Sequence, residues 1–158
     1  MTLRRSTIVA LLIAALALPG AVVLGQSKDP LIGTWLLDRS KSDFDPPQPF
    51  QRRTLFVEET ENGLSYRTRT VSDRLQASEI SYAGRTDGTD LPIEGSVLDS
   101  VSLKRVNATT VERAGKLKGN VVETTTMKVS PDGKMLTLTI KGSIDGRNYS
   151  STQVFFRQ

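Results

Sequence analysis

The chain of 158 residues has no histidine and no cysteine. Without histidine it lacks the side chain that most readily exchanges a proton near neutral pH. Without cysteine it has no thiol nucleophile, no disulfide and no site for a lipid-modified N-terminal cysteine. No Ser-x-x-Lys spacing occurs, which removes one histidine-free hydrolase route. Aromatics make up only 6% of the chain, with a single tryptophan, Trp35. Basic residues are scattered and form no dense patch, so the chain lacks a nucleic-acid footprint. Glu58 and Glu59 are adjacent, and on a strand they point to opposite faces. Asp87, Asp90 and Glu94 match no calcium-loop spacing, and Asp38, Asp43 and Asp45 gather beside prolines. Both groups read as solvated acidic turns. The expectation is a non-enzyme without metal or cofactor.

Only one long apolar run is present. Arg4 and Arg5 precede the unbroken stretch Ile8 to Leu18, Pro19-Gly20 interrupts it, and Val23-Leu24-Gly25 ends in a small residue. This three-part pattern predicts a signal peptide over 1–25 and a mature domain over 26–158. An uncleaved anchor is the alternative, but the run from 8 to 25 is short for a span and contains Pro19 and Gly20. Export places the protein in a bacterial periplasm or outside the cell, with no stable membrane insertion once the leader is removed. Losing Arg4 and Arg5 takes the formal charge from +4 to +2. A mature domain of this size, roughly 130 residues, buries enough surface to be stable without disulfides.

Beyond residue 30 the hydrophobic period is two. Strands are predicted near 31–37, 51–60, 64–72, 75–83, 89–94, 97–106, 109–115, 119–130, 134–142 and 147–157. Glu61-Asn62-Gly63, Asp87-Gly88, Pro131-Asp132-Gly133 and Asp145-Gly146 supply the turns between them. The segment from Asp38 to Pro49, with Asp45-Pro46-Pro47-Gln48-Pro49, reads as a loop over one end of the domain. No internal repeat and no helix of useful length is evident. Sequential hairpins predict an all-β fold, a single antiparallel up-and-down barrel of about 8–10 strands. A β-sandwich is the alternative.

Gly33-Thr34-Trp35-Leu36-Leu37, followed by Ser40-Lys41-Ser42-Asp43-Phe44, resembles the opening of the calycin superfamily. It is most similar to bacterial exported lipocalin-like proteins and more distantly to fatty-acid-binding proteins. The resemblance implies that Trp35 sits at the closed end of a barrel, with Arg157 of Val154-Phe155-Phe156-Arg157 packed across it. Gly33, Trp35 and Arg157 are then structural. Arginine over an indole is a favourable cation–π pair. Fatty-acid-binding proteins clamp a carboxylate with an Arg and a Tyr two residues apart on the last strand. Gln153 and Phe155 stand at those places here, so the resemblance does not carry over a fatty-acid clamp. Residues 38–50 are too proline-rich for that family's helical lid.

Trp35, Tyr66, Met127, Gln153 and Phe155 are the candidate ligand-binding residues, lining a barrel that takes a small apolar or amphipathic molecule. The competing expectation is an envelope interaction module whose interior is filled by its own side chains. Arg67 and Arg69 share a strand face opposite Leu64, Tyr66, Thr68 and Thr70. They read as solvated if the Leu/Tyr/Thr face is core, and as an anion site if it is not. A buried, unpaired glutamate facing the cavity would reopen the question of catalysis.

Overall fold

The computed structural model describes residues 28–158; the predicted leader over 1–25 lies outside the described residues. Ten strands follow in order: β1 (Gly33–Asp45), β2 (Arg52–Thr60), β3 (Gly63–Val71), β4 (Ala77–Gly84), β5 (Asp87–Pro92), β6 (Ser100–Asn107), β7 (Thr110–Leu117), β8 (Asn120–Val129), β9 (Met135–Ile144) and β10 (Arg147–Arg157). There is no helix among the described residues.

All ten strands belong to one antiparallel sheet ordered β4-β3-β2-β1-β10-β9-β8-β7-β6-β5. Consecutive strands pair at every step except β4 to β5, and β1 pairs with β10 with Trp35 opposite Arg157. This is an up-and-down barrel, and a two-sheet sandwich is excluded. Closure is nearly complete. At the seam, β4 meets the segment just beyond β5 through one bridge, in which Ser81 N donates to Glu94 O at 3.2 Å and Glu94 N to Ser81 O at 2.9 Å. The free part of β5 is short and carries Asp87, Asp90 and Pro92, features that discourage pairing with another chain.

Period-two patterning sets which side chains turn inward. On β8, Thr125, Met127 and Val129 are buried while Thr124, Thr126 and Lys128 are exposed. On β3, Leu64 and Tyr66 are buried while Arg67 and Arg69 face water. Arg67 lies over the Phe56 ring at 4.5 Å and 3.9 Å from Glu79 on the outer surface. The core gathers toward the end that holds Trp35: Leu31, Trp35, Leu103, Val111, Leu136 and Phe155 have no solvent exposure. Each such side chain contributes about 1.5–3 kcal/mol by leaving water.

One predicted loop is largely strand. The expected loop over 38–49 contains the second half of β1, which runs on to Asp45 and rejoins β10 after an irregularity. Asp38 pairs with Val154 and Asp43 with Thr152, so β1 carries extra residues between them. Ser42 fills the break: its hydroxyl donates to Asp38 O at 2.6 Å and accepts from Val154 N at 3.0 Å. Prolines stop the strand only from Pro46 onward, where a missing N–H ends the ladder.

Candidate functional site

The closed end is organised by Arg157. Its Nε donates to Gly133 O at 2.7 Å, Nη1 to Ile32 O at 2.6 Å and Nη2 to Pro30 O at 2.7 Å. The guanidinium carbon stands 4.1 Å from the centre of the Trp35 ring. The indole Nε1 donates to Leu31 O at 2.9 Å, which leaves the buried tryptophan no unmet polar group. Gly33 permits this packing: a Cβ there would lie 2.5 Å from Arg157 Nη1. These groups seal the floor.

Above the floor lies an internal cavity of about 220 Å³. Leu55, Ile80, Met127, Leu138, Ile140 and Phe155 give it an apolar wall. Thr68, Thr70, Thr125, Ser151 and Gln153 add neutral polar groups, and Arg53, Arg113 and Glu123 are its charged groups. The volume exceeds the roughly 150 Å³ that accepts a benzene-sized guest and falls below the approximately 300 Å³ at which drug-sized sites begin. Gln48, in the turn between β1 and β2, reaches the cavity from the end opposite Trp35.

Arg53 is the more accessible cation. It sits on β2 in phase with Leu55 and Val57, both buried, so alternation carries it inward. Nη1 donates to Gln153 Oε1 at 3.0 Å, Nη2 to Gln48 Oε1 at 3.0 Å and Nε to Thr70 Oγ1 at 3.1 Å. All three acceptors are neutral. None of the ion pairs among the described residues includes Arg53. Burial, assisted by the neighbouring Arg39 charge, pushes its pKa down to about 10. Arg53 and Arg39 stack on the Phe50 ring at 4.4 and 4.7 Å, and the edge of Phe44 meets that ring at 5.4 Å. Together they pin the buried Phe50 beside the cavity mouth.

Arg113 is half way round the barrel, on β7, and is held differently. Its Nη2 donates to Glu123 Oε1 and, at 3.1 Å, to Thr125 Oγ1. The other Glu123 oxygen accepts from the Tyr149 hydroxyl at 2.8 Å. Both members of the ion pair have side chains only 12% exposed, so each depends on the other for its charge. Burial opposes the Arg113 charge, yet Tyr82 and Glu123 outweigh it and its pKa rises. Tyr149 is raised by burial and by its bond to Glu123. The Arg113 Nε is buried with no partner among the described residues. Gly142 makes the Tyr149–Glu123 bond possible. Tyr149 and Glu123 pair with Gly142 from opposite sides, and a Cβ on Gly142 would lie 2.3 Å from the Tyr149 ring. The phenol crosses the bare backbone to reach the carboxylate.

Of the five expected ligand-wall residues, Met127, Gln153 and Phe155 border this cavity. Trp35 and Tyr66 do not. Trp35 is sealed into the floor, and Tyr66 is buried behind Tyr82, stacked on it at 5.0 Å between ring centres. Arg53, Arg113, Glu123 and Tyr149 were missing from the expected set. Their sequence signal was phase: Arg53 alternates with Leu55 and Val57, and Arg113 with Val111. The acidic turns stay at the surface, where Asp87 meets Arg85 at 3.2 Å and Asp90 meets Lys116 at 2.6 Å. Among the described residues no cluster has metal-binding composition.

No model of a known protein family matches the chain. No curated protein matches it in sequence. Among solved structures the fold is similar to zebrafish ileal bile acid-binding protein in complex with cholic acid. The TM-score is 0.50 at 8% identity, over 82% of this chain and 99% of that one. The likeness shows the fold, a single antiparallel up-and-down barrel like that of the zebrafish protein.

Proposed function

We propose that this protein is an exported, non-catalytic carrier that holds a small amphipathic acid inside its barrel. The reading rests on Arg53, a guanidinium with only neutral partners on the wall of a cavity that also has an apolar side. A carboxylate or similar anion supplies the missing counter-charge, and a planar fork suits it. The apolar wall takes the tail. The similarly folded zebrafish protein is a bile acid-binding protein, which favours a binding role for the interior. A cavity of about 220 Å³ weighs against an interaction module with a filled interior. The absence of His and Cys, and the pairing of the cavity glutamate with Arg113, weigh against catalysis.

Calorimetric titration of the purified protein with octanoate, octanol and octylamine tests this. Octanoate is expected to bind best, and Arg53→Gln to weaken it by about tenfold to a hundredfold, the worth of a charge-assisted contact. No octanoate binding, or equal binding of octylamine, refutes the carrier reading. The three-part pattern over 1–25 supports a periplasmic or secreted location as part of this proposal. Fractionation of a bacterial host with N-terminal sequencing of the product checks it, and an unprocessed cytoplasmic product refutes it.

A further inference from the structure

The cavity contains two arginines, and the chain treats them unequally. Arg53 is left with neutral amide and hydroxyl acceptors. Arg113 is given a buried carboxylate, Glu123, which is itself fixed by Tyr149 across the bare backbone of Gly142. Both close hydrogen bonds of Arg113 leave from Nη2, Tyr82 lies beside the guanidinium at 5.5 Å from ring centre to guanidinium carbon, and the buried Nε has no acceptor among the described residues. A buried ion pair is weak support for stability, since apolar residues of similar volume do as well. Its presence in a cavity wall needs another reason. Pairing cancels the charge of Arg113 and keeps its donors. The cavity is left with one net positive charge, at Arg53, and with a neutral donor site on the opposite wall.

We propose that the site selects a monocarboxylate carrying a second, uncharged oxygen, a hydroxyl or a ketone, and that Glu123 excludes dicarboxylates. The carboxylate sits at Arg53 and the neutral oxygen accepts from the Arg113 guanidinium. A second carboxylate at that wall would meet Glu123, a like charge in a poorly solvated place. Glu123 is a specificity-determining residue that acts through Arg113. This inference rests on the carrier reading above and goes further by naming the ligand class.

The test uses octanoate, 7-oxooctanoate, 8-hydroxyoctanoate and octanedioate, titrated by calorimetry into the purified protein and two variants, with circular dichroism confirming each fold. In the wild type, at least one oxygenated monoacid is expected to bind about tenfold more tightly than octanoate, and octanedioate more weakly than either. Glu123→Gln frees the Arg113 charge and is expected to reverse the order, with octanedioate gaining at least tenfold over octanoate. If that variant misfolds, the double variant Arg113→Met with Glu123→Met removes both charges together. It is expected to keep octanoate affinity and lose the oxygenated preference. Octanoate binding without an oxygenated preference in the wild type overturns the inference and leaves the carrier reading standing. Octanedioate binding best in the wild type, or no change of order in either variant, also overturns it. If none of the four acids binds, the carrier reading fails and this inference fails with it.

Discussion

Replacing Arg157 with methionine removes the group that ties the barrel floor together. Three charge-assisted hydrogen bonds to Pro30, Ile32 and Gly133 carbonyls are lost, together with the contact on Trp35. Bonds to a charged donor are worth about 1.5–3 kcal/mol each when buried. These are only partly buried, and water can take over some of the carbonyls, which cuts the sum. The stacked guanidinium adds about 0.5–1 kcal/mol. The net loss is about 3 kcal/mol, a fall of roughly 10 °C in Tm for a domain of this size. Urea unfolding followed by Trp35 fluorescence reads it directly, because the only tryptophan lies under the mutated group. The midpoint is expected to fall with the slope unchanged. Arg157→Lys keeps the charge but neither the planar face nor the three-way fork, and it is expected to recover less than half of the loss. An Arg157→Met protein within about 1 kcal/mol of the wild type would show that the floor is held by apolar packing alone.

Gly142→Ala is expected to displace the Tyr149 phenol and cost about 1–3 kcal/mol, and to cost little more in a Tyr149→Ala background, where ring and hydroxyl are both gone; additive losses in a double-mutant cycle would refute the crossing geometry. Anion binding at Arg53 is expected to hold steady below pH 10 and weaken above it, because the guanidinium loses its proton near there, burial having lowered its pKa. Titrations at pH 8 and pH 11 check this, and Arg53→Gln should abolish the difference. Leu136→Ala, at a fully buried position away from the cavity wall, is expected to lower stability by about 2–5 kcal/mol while octanoate affinity in the folded protein stays unchanged.

The barrel was legible because its signals are local. Alternation and turn residues placed all ten strands, with ends shifted by only a few positions in most cases. The second half of β1 was not legible, since its outward residues are mostly exposed and its pairing depends on Ser42 reaching Val154 on the last strand. Of the apolar half of the cavity, Met127 and Phe155 were among the expected residues and Leu55, Ile80, Leu138 and Ile140 were not, because threonines on both faces of the strands blur the phase. The charged half was not legible, because whether an arginine turns inward depends on what waits for it. Arg53 is met by Gln153, 100 positions along the chain, and Arg113 by a glutamate across the next hairpin whose second oxygen is satisfied from β10. A pattern read one strand at a time ranks both as surface residues.

The lone bridge between Ser81 and Glu94 makes the wall of this cylinder unequal around its circumference. To part β1 from β10 is to undo seven register pairs, but to part β4 from the segment that follows β5 is to undo a single bridge. Thermal breathing therefore concentrates on one line, beside Tyr66 and Tyr82, and the amides flanking it exchange with solvent ahead of those at the tryptophan end.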